Sequence, residues 1–94
     1  SDKFLEVVRV TDIAEMLERI PECQAIVTTG QKATDVIVEK FGCDEPSIGE
    51  YSECHIGKRS IRFWRMPSSS RAYPLSLEKK AGFYRKMFQT ELHE

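Results

Sequence analysis

The residues best suited to binding chemistry lie in one short segment, Arg65-Met66-Pro67-Ser68-Ser69-Ser70-Arg71, where three serines stand between two arginines. Serine hydroxyls and the backbone N–H groups of a turn are small neutral donors that approach phosphate oxygens closely, and arginine adds charge and bidentate hydrogen bonding. Pro67 and Pro74 restrict the segment and reduce the entropy lost on binding. The segment therefore predicts a phosphate-binding loop; the alternative is a plain surface connection, which is a common role for a Ser/Pro loop.

Charge is distributed unevenly along the chain. Residues 1–54 carry five cations and twelve anions, whereas residues 55–86 carry nine cations and a single anion, Glu78. The cations between Glu53 and Glu78 are Lys58, Arg59, Arg62, Arg65 and Arg71, with no acid among them. This pattern is typical of a surface that binds a polyanion such as DNA. The alternative is that the basic half of the chain pairs with the acidic half inside a compact fold.

The serine-rich segment resembles a signature of a known enzyme family. Met66-Pro67-Ser68-Ser69-Ser70 is similar to the second signature loop of the uracil-DNA glycosylase superfamily, closest to its mismatch-specific uracil/thymine-DNA glycosylase branch. Thr29-Gly30-Gln31-Lys32-Ala33 resembles the strand, turn and helix of that branch, and the basic C-terminal helix matches in place and character. The resemblance covers most of residues 24–92, and it implies the C-terminal half of a glycosylase fold that acts in DNA repair by base excision.

The resemblance implies that the segment contacts DNA. In the family this loop pinches the DNA backbone while a damaged base is flipped out of the stack. Met66 would border the flipped pyrimidine, Ser68 and Ser70 would contact phosphates, and Arg71 would fill the gap in the duplex, although here Arg71 precedes Ala72 where the family has an alanine first. The expected DNA-binding residues are Met66, Pro67, Ser68, Ser69, Ser70 and Arg71, with Lys32 beside a helix N-terminus and Lys79 on the basic helix.

The sequence lacks the family's water-activating turn, which is of the Gly-Ile-Asn-Pro-Gly or Gly-Gln-Asp-Pro type. The chain contains no Asn, and none of its Asp residues lies in such a turn. We therefore assign no catalytic residue, and we expect hydrolysis of the N-glycosidic bond of uracil or a mismatched pyrimidine only of an intact enzyme. Two alternatives are a noncatalytic module that holds DNA or a protein through the same loop, and a fold fragment whose basic face docks on an acidic partner domain.

No metal or cofactor site is predicted. Cys43, Cys54 and His55 lack the paired spacing of a zinc site, and the turn at Gly30 lacks the full phosphate-loop motif. Three cysteines without paired spacing are typical of reduced thiols, so we expect a cytoplasmic protein. No apolar run approaches the roughly 20 residues of a membrane helix, and we expect neither a signal peptide nor a membrane partner.

The elements that must position these residues alternate as in an α/β layered domain, and 94 residues fit one small, partial domain. Strands are predicted at 5–10, 25–28, 48–53 and 60–66, and helices at 12–20, 31–41 and from 76 onward. The apolar, β-branched run 25–28 is typical of a parallel strand buried on both faces. We expect a short, mostly parallel sheet flanked by helices, with an exposed sheet edge through which a homodimer is possible.

Three local signals set the ends and faces of the helices. Asp12 with Glu15 predicts a capping box, Gly42 a left-handed C-terminal residue and Ser76 an N-cap. Leu77, Ala81, Tyr84, Phe88 and Leu92 recur at helical spacing and predict the buried face of the last helix, opposite Lys79, Lys80 and Lys86. Phe63 and Trp64 lie on a predicted strand, so we assign them to the core rather than to base stacking.

Overall fold

The computed structural model describes residues 4–7, 13–68 and 75–92. In chain order the elements are β1 (Phe4–Val7), α1 (Ile13–Arg19), β2 (Ala25–Thr29), α2 (Gln31–Phe41), β3 (Tyr51–Ile56), β4 (Arg59–Met66) and α3 (Leu77–Leu92). The second helix has the predicted bounds. The strand predicted at 48–53 instead begins at Tyr51, because residues 47–50 form a turn closed by a bond from Glu50 N–H to the Ser47 carbonyl.

Four strands form one mixed sheet in the order β1-β2-β4-β3. Strands β1, β2 and β4 are parallel, and β3 runs antiparallel to β4 as the first strand of a hairpin. Gly57 occupies the first position of the two-residue hairpin loop with φ 63°, a conformation that tight hairpins favour and that glycine adopts without strain. The prediction of a small α/β domain with a mostly parallel sheet is confirmed.

Strand β2 lies inside the sheet and is covered on both faces. Ala25 and Val27 pack in one apolar cluster with α3, whereas Ile26 packs in the other cluster with α1 and α2. Every residue from Ala25 to Thr28 is buried. The apolar run 25–28 therefore forms a strand that is buried on both faces, as the sequence predicts.

The larger apolar cluster lies between the sheet and the helices α1 and α2. Ile13 and Leu17 of α1 and Ile37 of α2 pack against Ile61 and Phe63 of β4. Helix α2 ends at Gly42, which is left-handed with φ 65° and whose N–H donates to the Val38 carbonyl, as predicted. The capping box at Asp12 lies outside the described residues.

Helix α3 covers the opposite face of the sheet. Met87 packs on Trp64 and Met66 of β4, and Phe63 and Trp64 are both fully buried, which confirms their assignment to the core. Ser76 is the predicted N-cap: its side-chain oxygen accepts from the Lys79 N–H at 3.2 Å.

The predicted buried face of α3 is wrong. Leu77, Phe88 and Leu92 are 83%, 44% and 41% exposed, and the buried residues of α3 are Met87 and Glu91. Helical spacing identified an apolar stripe, but Glu91 turns toward the sheet because it binds Arg62 and Trp64 of β4. Met87, one turn before Glu91, faces the sheet with it.

Among residues 4–7, 13–68 and 75–92, no helix combines the length and the apolar character that crossing a bilayer requires.

Candidate nucleic-acid interface

The two segments that resemble the glycosylase family lie side by side in the fold. Parallel pairing of β2 with β4 places Thr29 opposite Met66, at the carboxyl end of both strands. The Gly30 N–H donates to the Met66 carbonyl at 3.4 Å and extends this contact past the strands. The turn at Gly30 and the loop that begins at Pro67 therefore share the end of the sheet where open α/β folds bind ligands.

The turn at Gly30 leads directly into α2, and its geometry is fixed by two threonines. Thr34 donates its hydroxyl to the Gly30 carbonyl at 2.8 Å, and the Thr28 and Thr34 hydroxyl oxygens lie 2.9 Å apart in the interior. Gly30 is the N-cap residue of α2 and offers no side-chain cap. The first N–H groups of a helix have no intrahelical acceptor, so those of α2 form an anion-binding end.

The first turn of α2 also differs from that of the other helices in charge. It holds no acidic residue, whereas α1 carries Glu15 and α3 carries Glu78 in the first turn. Lys32 is exposed at this position. Because the positive end of the α2 dipole is not compensated by a carboxylate in that turn, it keeps its attraction for an anion.

Arg65 is held by groups of the protein itself. Its guanidinium binds the Glu45 carboxylate at 3.0 Å, the Gln31 side-chain oxygen at 2.6 Å and the Pro46 carbonyl at 3.3 Å. The Arg65 side chain is only 15% exposed. Arg65 therefore ties the start of α2 to the 43–50 loop, and its charge is neutralised inside the fold.

Arg62 is neutralised on the other face of the sheet. Its Nε and one terminal nitrogen bind the two Glu91 oxygens at 2.5 and 2.7 Å, and the Trp64 indole N–H donates to Glu91 at 2.7 Å. The hydrogen bond with Glu91 raises the pKa of Arg62, against the opposing effect of burial. This bidentate pair joins α3 to β4.

Arg59 caps the C-terminal end of α1. Its guanidinium donates to the Leu17 carbonyl at 2.6 Å and to the Pro21 carbonyl at 3.1 Å, and it also binds the Cys23 carbonyl. A cation is favourable here because the last carbonyls of a helix carry partial negative charge and lack intrahelical donors. Arg59 is therefore a structural residue.

The charge pattern along the sequence overstates the basic surface of the fold. Of the five cations between Glu53 and Glu78, Arg59, Arg62 and Arg65 are engaged internally, and Arg71 lies outside the described residues. Lys86 of α3 likewise forms an ion pair with Glu50. Arg65 and Lys86 thus pair with acids of residues 1–54, as the alternative of pairing between the two halves predicts, whereas Arg62 pairs with Glu91 and Arg59 binds backbone carbonyls. Binding of a polyanion by this stretch stays a prediction.

The first residues of the serine-rich loop are buried. Met66 and Pro67 are buried, and Met66 packs against Met87 beneath α3, so neither side chain offers a surface to DNA in this structure. Ser68 is half-buried. Ser69, Ser70 and Arg71 lie outside the described residues. The predicted contact of Met66 with a flipped base would require its side chain to leave this core.

The predicted lysines are exposed. Lys32 lies in the first turn of α2, at the carboxyl end of β2, and Lys79 lies in the first turn of α3. Lys58 is exposed in the hairpin between β3 and β4, at the opposite end of β4 from Met66. The fold thus places Lys32 beside the start of the serine-rich loop and Lys58 at the opposite end of the sheet.

Cys23 and Cys54 are poorly suited to act as nucleophiles. Burial raises the pKa of the Cys23 thiol, and burial together with a hydrogen bond with Cys43 raises the pKa of Cys54 to about 12. A thiol with a raised pKa is a poor nucleophile at neutral pH. Within the part of the chain that the structure describes, no three His, Cys, Asp or Glu side chains cluster in a way that would hold a metal ion.

The residues that organise this end of the sheet are not among those that the sequence patterns identify. Gln31 joins Arg65, Asp35 and Glu45, and Thr28 with Thr34 fixes the turn at Gly30. A threonine in an otherwise apolar strand was the available signal, because a buried hydroxyl needs a partner. The Gln31 and Glu45 contacts had no such signal, since they join segments far apart in sequence.

Comparisons with known proteins add no family assignment: no protein-family model matches the sequence, and no curated protein or solved structure matches it either.

Proposed function

We propose that this chain is the DNA-contacting part of a base-excision-repair DNA glycosylase and that it grips DNA phosphates at the carboxyl ends of β2 and β4. The observation that carries the proposal is the hydrogen bond from Gly30 N–H to the Met66 carbonyl. It joins the two segments that carry the family resemblance into one surface. At that surface the phosphate ligands are the first N–H groups of α2, Lys32 and the serine hydroxyls that follow Pro67.

The buried residues of this region have a supporting role in the proposal. Met66 anchors the start of the loop in the α3-side core and Pro67 is buried after it, and Arg65 holds the start of α2 through Gln31. A rigid base of this kind lowers the entropy that the loop loses when it binds. Arg71, in the resemblance, follows the phosphate contacts as the residue that enters the duplex where a base has been flipped out.

The chemistry of base removal belongs to an intact enzyme in this proposal. The resemblance implies hydrolysis of the N-glycosidic bond of uracil or a mismatched pyrimidine, with the attacking water activated by a turn that this sequence lacks. The 94 residues supply grip and placement of the DNA. A uracil-containing duplex should therefore bind to this chain without loss of its base.

Binding of DNA to this chain is measured by the fluorescence anisotropy of a labelled duplex containing an abasic-site analogue and of the same duplex without it. Lys32→Ala should weaken binding to both, and the slope of log affinity against log salt should become shallower by about 0.9 for one lost phosphate contact. Lys58→Ala is the matched control, because it removes the same charge at the other end of β4. Equal losses in the two variants would contradict a site at the loop.

A second measurement separates a glycosylase surface from a general DNA-binding one. Arg71→Ala should weaken binding to the abasic duplex more than to the ordinary duplex, since only the former has a gap to fill. Equal loss on both duplexes would indicate a phosphate contact alone.

The second candidate function is a noncatalytic module that uses the same loop to hold a protein. The internal pairing of Arg59, Arg62 and Arg65 favours it, because these residues leave less free positive charge for DNA than the sequence suggests. This candidate predicts no binding of either duplex at low salt, where counterion release makes any phosphate contact strongest.

A further inference from the structure

Strand β3 forms one edge of the sheet. In the strand order β1-β2-β4-β3 it lies next to β4, and among the described residues no other strand pairs with it. The strand Tyr51–Ile56 is six residues long and contains neither proline nor lysine. Soluble proteins normally protect an edge strand with such residues or with a covering segment, because unpaired backbone groups there readily pair with another strand.

The backbone of every second residue of β3 points away from β4. The Arg65 N–H donates to the Glu50 carbonyl at 3.1 Å, so these two residues form a hydrogen-bonded pair at the start of the β3–β4 ladder. Hydrogen-bonded and non-hydrogen-bonded pairs alternate along an antiparallel ladder, so the N–H and C=O groups of Tyr51, Glu53 and His55 point outward. In the part of the chain that the structure describes, these backbone groups have no hydrogen-bond partner.

The side chains of Glu53 and His55 stand next to each other on the α3 side of the sheet. The residue between them, Cys54, is buried on the α1 and α2 side, and side chains alternate between the two faces of a strand. The His55 Nε2 lies 3.5 Å from a Glu53 carboxylate oxygen, and the His55 and Glu53 side chains are 74% and 67% exposed. The edge thus presents an imidazole and a carboxylate on one face, both accessible to solvent.

We propose that β3 pairs antiparallel with β3 of a second copy of this chain, so that the two sheets become one continuous sheet. The geometry points to the register that places Glu53 opposite His55 of the second copy, with Cys54 on the two-fold axis. Residues with outward backbone groups form the hydrogen-bonded pairs of such a ladder, and Glu53 and His55 both have them. Each of these pairs exchanges both of its N–H···O bonds.

The side chains select this register and make the edge complementary to itself. A carboxylate accepts hydrogen bonds and an imidazole donates one in either charge state, so Glu53 opposite His55 is favourable. Sliding the second copy by two residues in one direction puts the two Glu53 carboxylates opposite each other, which is unfavourable. Sliding it in the other direction shortens the ladder, because Glu53 then lies opposite Gly57 in the hairpin loop. The strand therefore matches a second copy of itself.

The helices leave room for the second copy. Ile37 of α2 and Met87 of α3 pack in clusters with residues of β4, one strand in from the edge. In the joined sheet the two β4 strands are three strand spacings apart, about 14 Å, which exceeds the width of a helix, roughly 10 Å. The Ser52 hydroxyl donates to the Asp44 carbonyl at 2.7 Å, so the loop before β3 contacts the α2 side of the strand and not its outer edge.

The first test is amide hydrogen exchange of the unsubstituted chain, measured by NMR at low and at high protein concentration. Protection of the outward Glu53 and His55 N–H groups should rise about tenfold when roughly nine-tenths of the chain is dimeric. The matched controls are Cys54 and Ile56, whose N–H groups face β4 and should be protected at both concentrations. Protection of Glu53 and His55 that does not depend on concentration would contradict the proposal.

The second test is sedimentation velocity at concentrations up to about 1 mM, because a short strand edge buries little surface and gives a weak dimer. His55→Glu puts carboxylates opposite each other and should raise the dissociation constant about tenfold. Ala14→Glu is the control, since it adds a carboxylate on the exposed side of α1. Glu53→His combined with His55→Glu exchanges the two partners at unchanged composition and should restore the dimer.

Three sedimentation results would overturn the proposal: a monomer at every concentration, equal effects of His55→Glu and Ala14→Glu, or no recovery in the exchanged double variant. Circular dichroism monitors folding of each variant, and the exchange measurement on the unsubstituted chain decides the matter should a variant unfold. The edge is separate from the proposed DNA contact at the carboxyl ends of β2 and β4. Duplex binding by the exchanged double variant should therefore be unchanged.

Discussion

The two faces of the sheet are held by different kinds of interaction. On the α1 and α2 side, the contact is an apolar cluster in which Phe63, Ile26 and Ile37 are fully buried. On the α3 side, a smaller cluster around Trp64 is joined by a buried carboxylate, Glu91, which receives hydrogen bonds from Arg62 and from the Trp64 indole. The stability of the first face depends on the area of apolar surface removed from water. The stability of the second face depends also on the direction of its hydrogen bonds.

This difference explains why α3 keeps an apolar stripe at the surface. Apolar packing is non-directional, so Phe88 and Leu92 would satisfy it as well as Met87 does. The hydrogen bonds to Glu91 are directional and fix the rotation of α3 about its axis. A single acid near the C-terminal end of the helix thus decides which side of α3 faces the sheet and which side is exposed.

The largest expected effect tests the apolar face. Phe63→Ala removes a fully buried ring between the sheet and the helices α1 and α2, and should lower the free energy of unfolding by about 3–5 kcal/mol. Urea unfolding followed by circular dichroism measures it. The comparison substitution is Leu77→Ala, at a mostly exposed position, which should change stability by less than about 0.5 kcal/mol. Similar losses in both would mean that this cluster does not hold the fold.

The next effect tests the polar network on the α3 face. Glu91→Gln keeps the shape of the side chain but removes the charge that binds Arg62, and should lower the free energy of unfolding by about 2 kcal/mol. Arg62 is 36% exposed and recovers part of its hydration, which limits the loss. Trp64 is the only tryptophan, so its fluorescence reports this interface directly. Glu78→Gln, on the exposed first turn of α3, should cost less than about 1 kcal/mol.

A smaller effect is expected from the contact between Arg59 and the end of α1, on the face of the sheet that α1 and α2 cover. Arg59→Ala removes the donor that satisfies carbonyls at the C-terminal end of α1, and should cost about 1.5 kcal/mol in urea unfolding. Lys58→Ala removes the neighbouring exposed cation and should be close to neutral. If Lys58→Ala were as destabilising as Arg59→Ala, net charge rather than capping would explain the loss.

The smallest effect near neutral pH concerns the Cys54 thiol, and it grows only in alkaline solution. Burial first, and then the hydrogen bond with Cys43, raise the pKa of Cys54 to about 12, from the ordinary value of 9.0 for an exposed thiol. Between these values the unfolded chain loses this proton before the folded chain does, so stability falls as pH rises above 9. In Cys54→Ala, unfolding curves taken at several pH values should show a shallower decline. An unchanged slope would contradict the burial of this thiol.

The elements of the fold were largely predictable, and the surface that they present was not. Helix 31–41 and its end at Gly42, the cap at Ser76 and the buried strand before Gly30 follow from local patterns and agree with the structure. The adjacency of the turn at Gly30 and the serine-rich loop follows from parallel pairing of β2 and β4. The buried position of Met66 had no sequence signal beyond its apolar character.

The sequence by itself determined the type of the elements and the ends of those marked by glycine or a cap, because backbone preferences at glycine, proline and serine and the spacing of apolar residues act over a few neighbours. Only the tertiary structure decided which charges reach the surface. Arg65 finds its carboxylate 20 positions away and Arg62 finds its partner 29 positions away. Pairing over such distances depends on how strands and helices are brought together. It therefore does not follow from the order of charges along the chain.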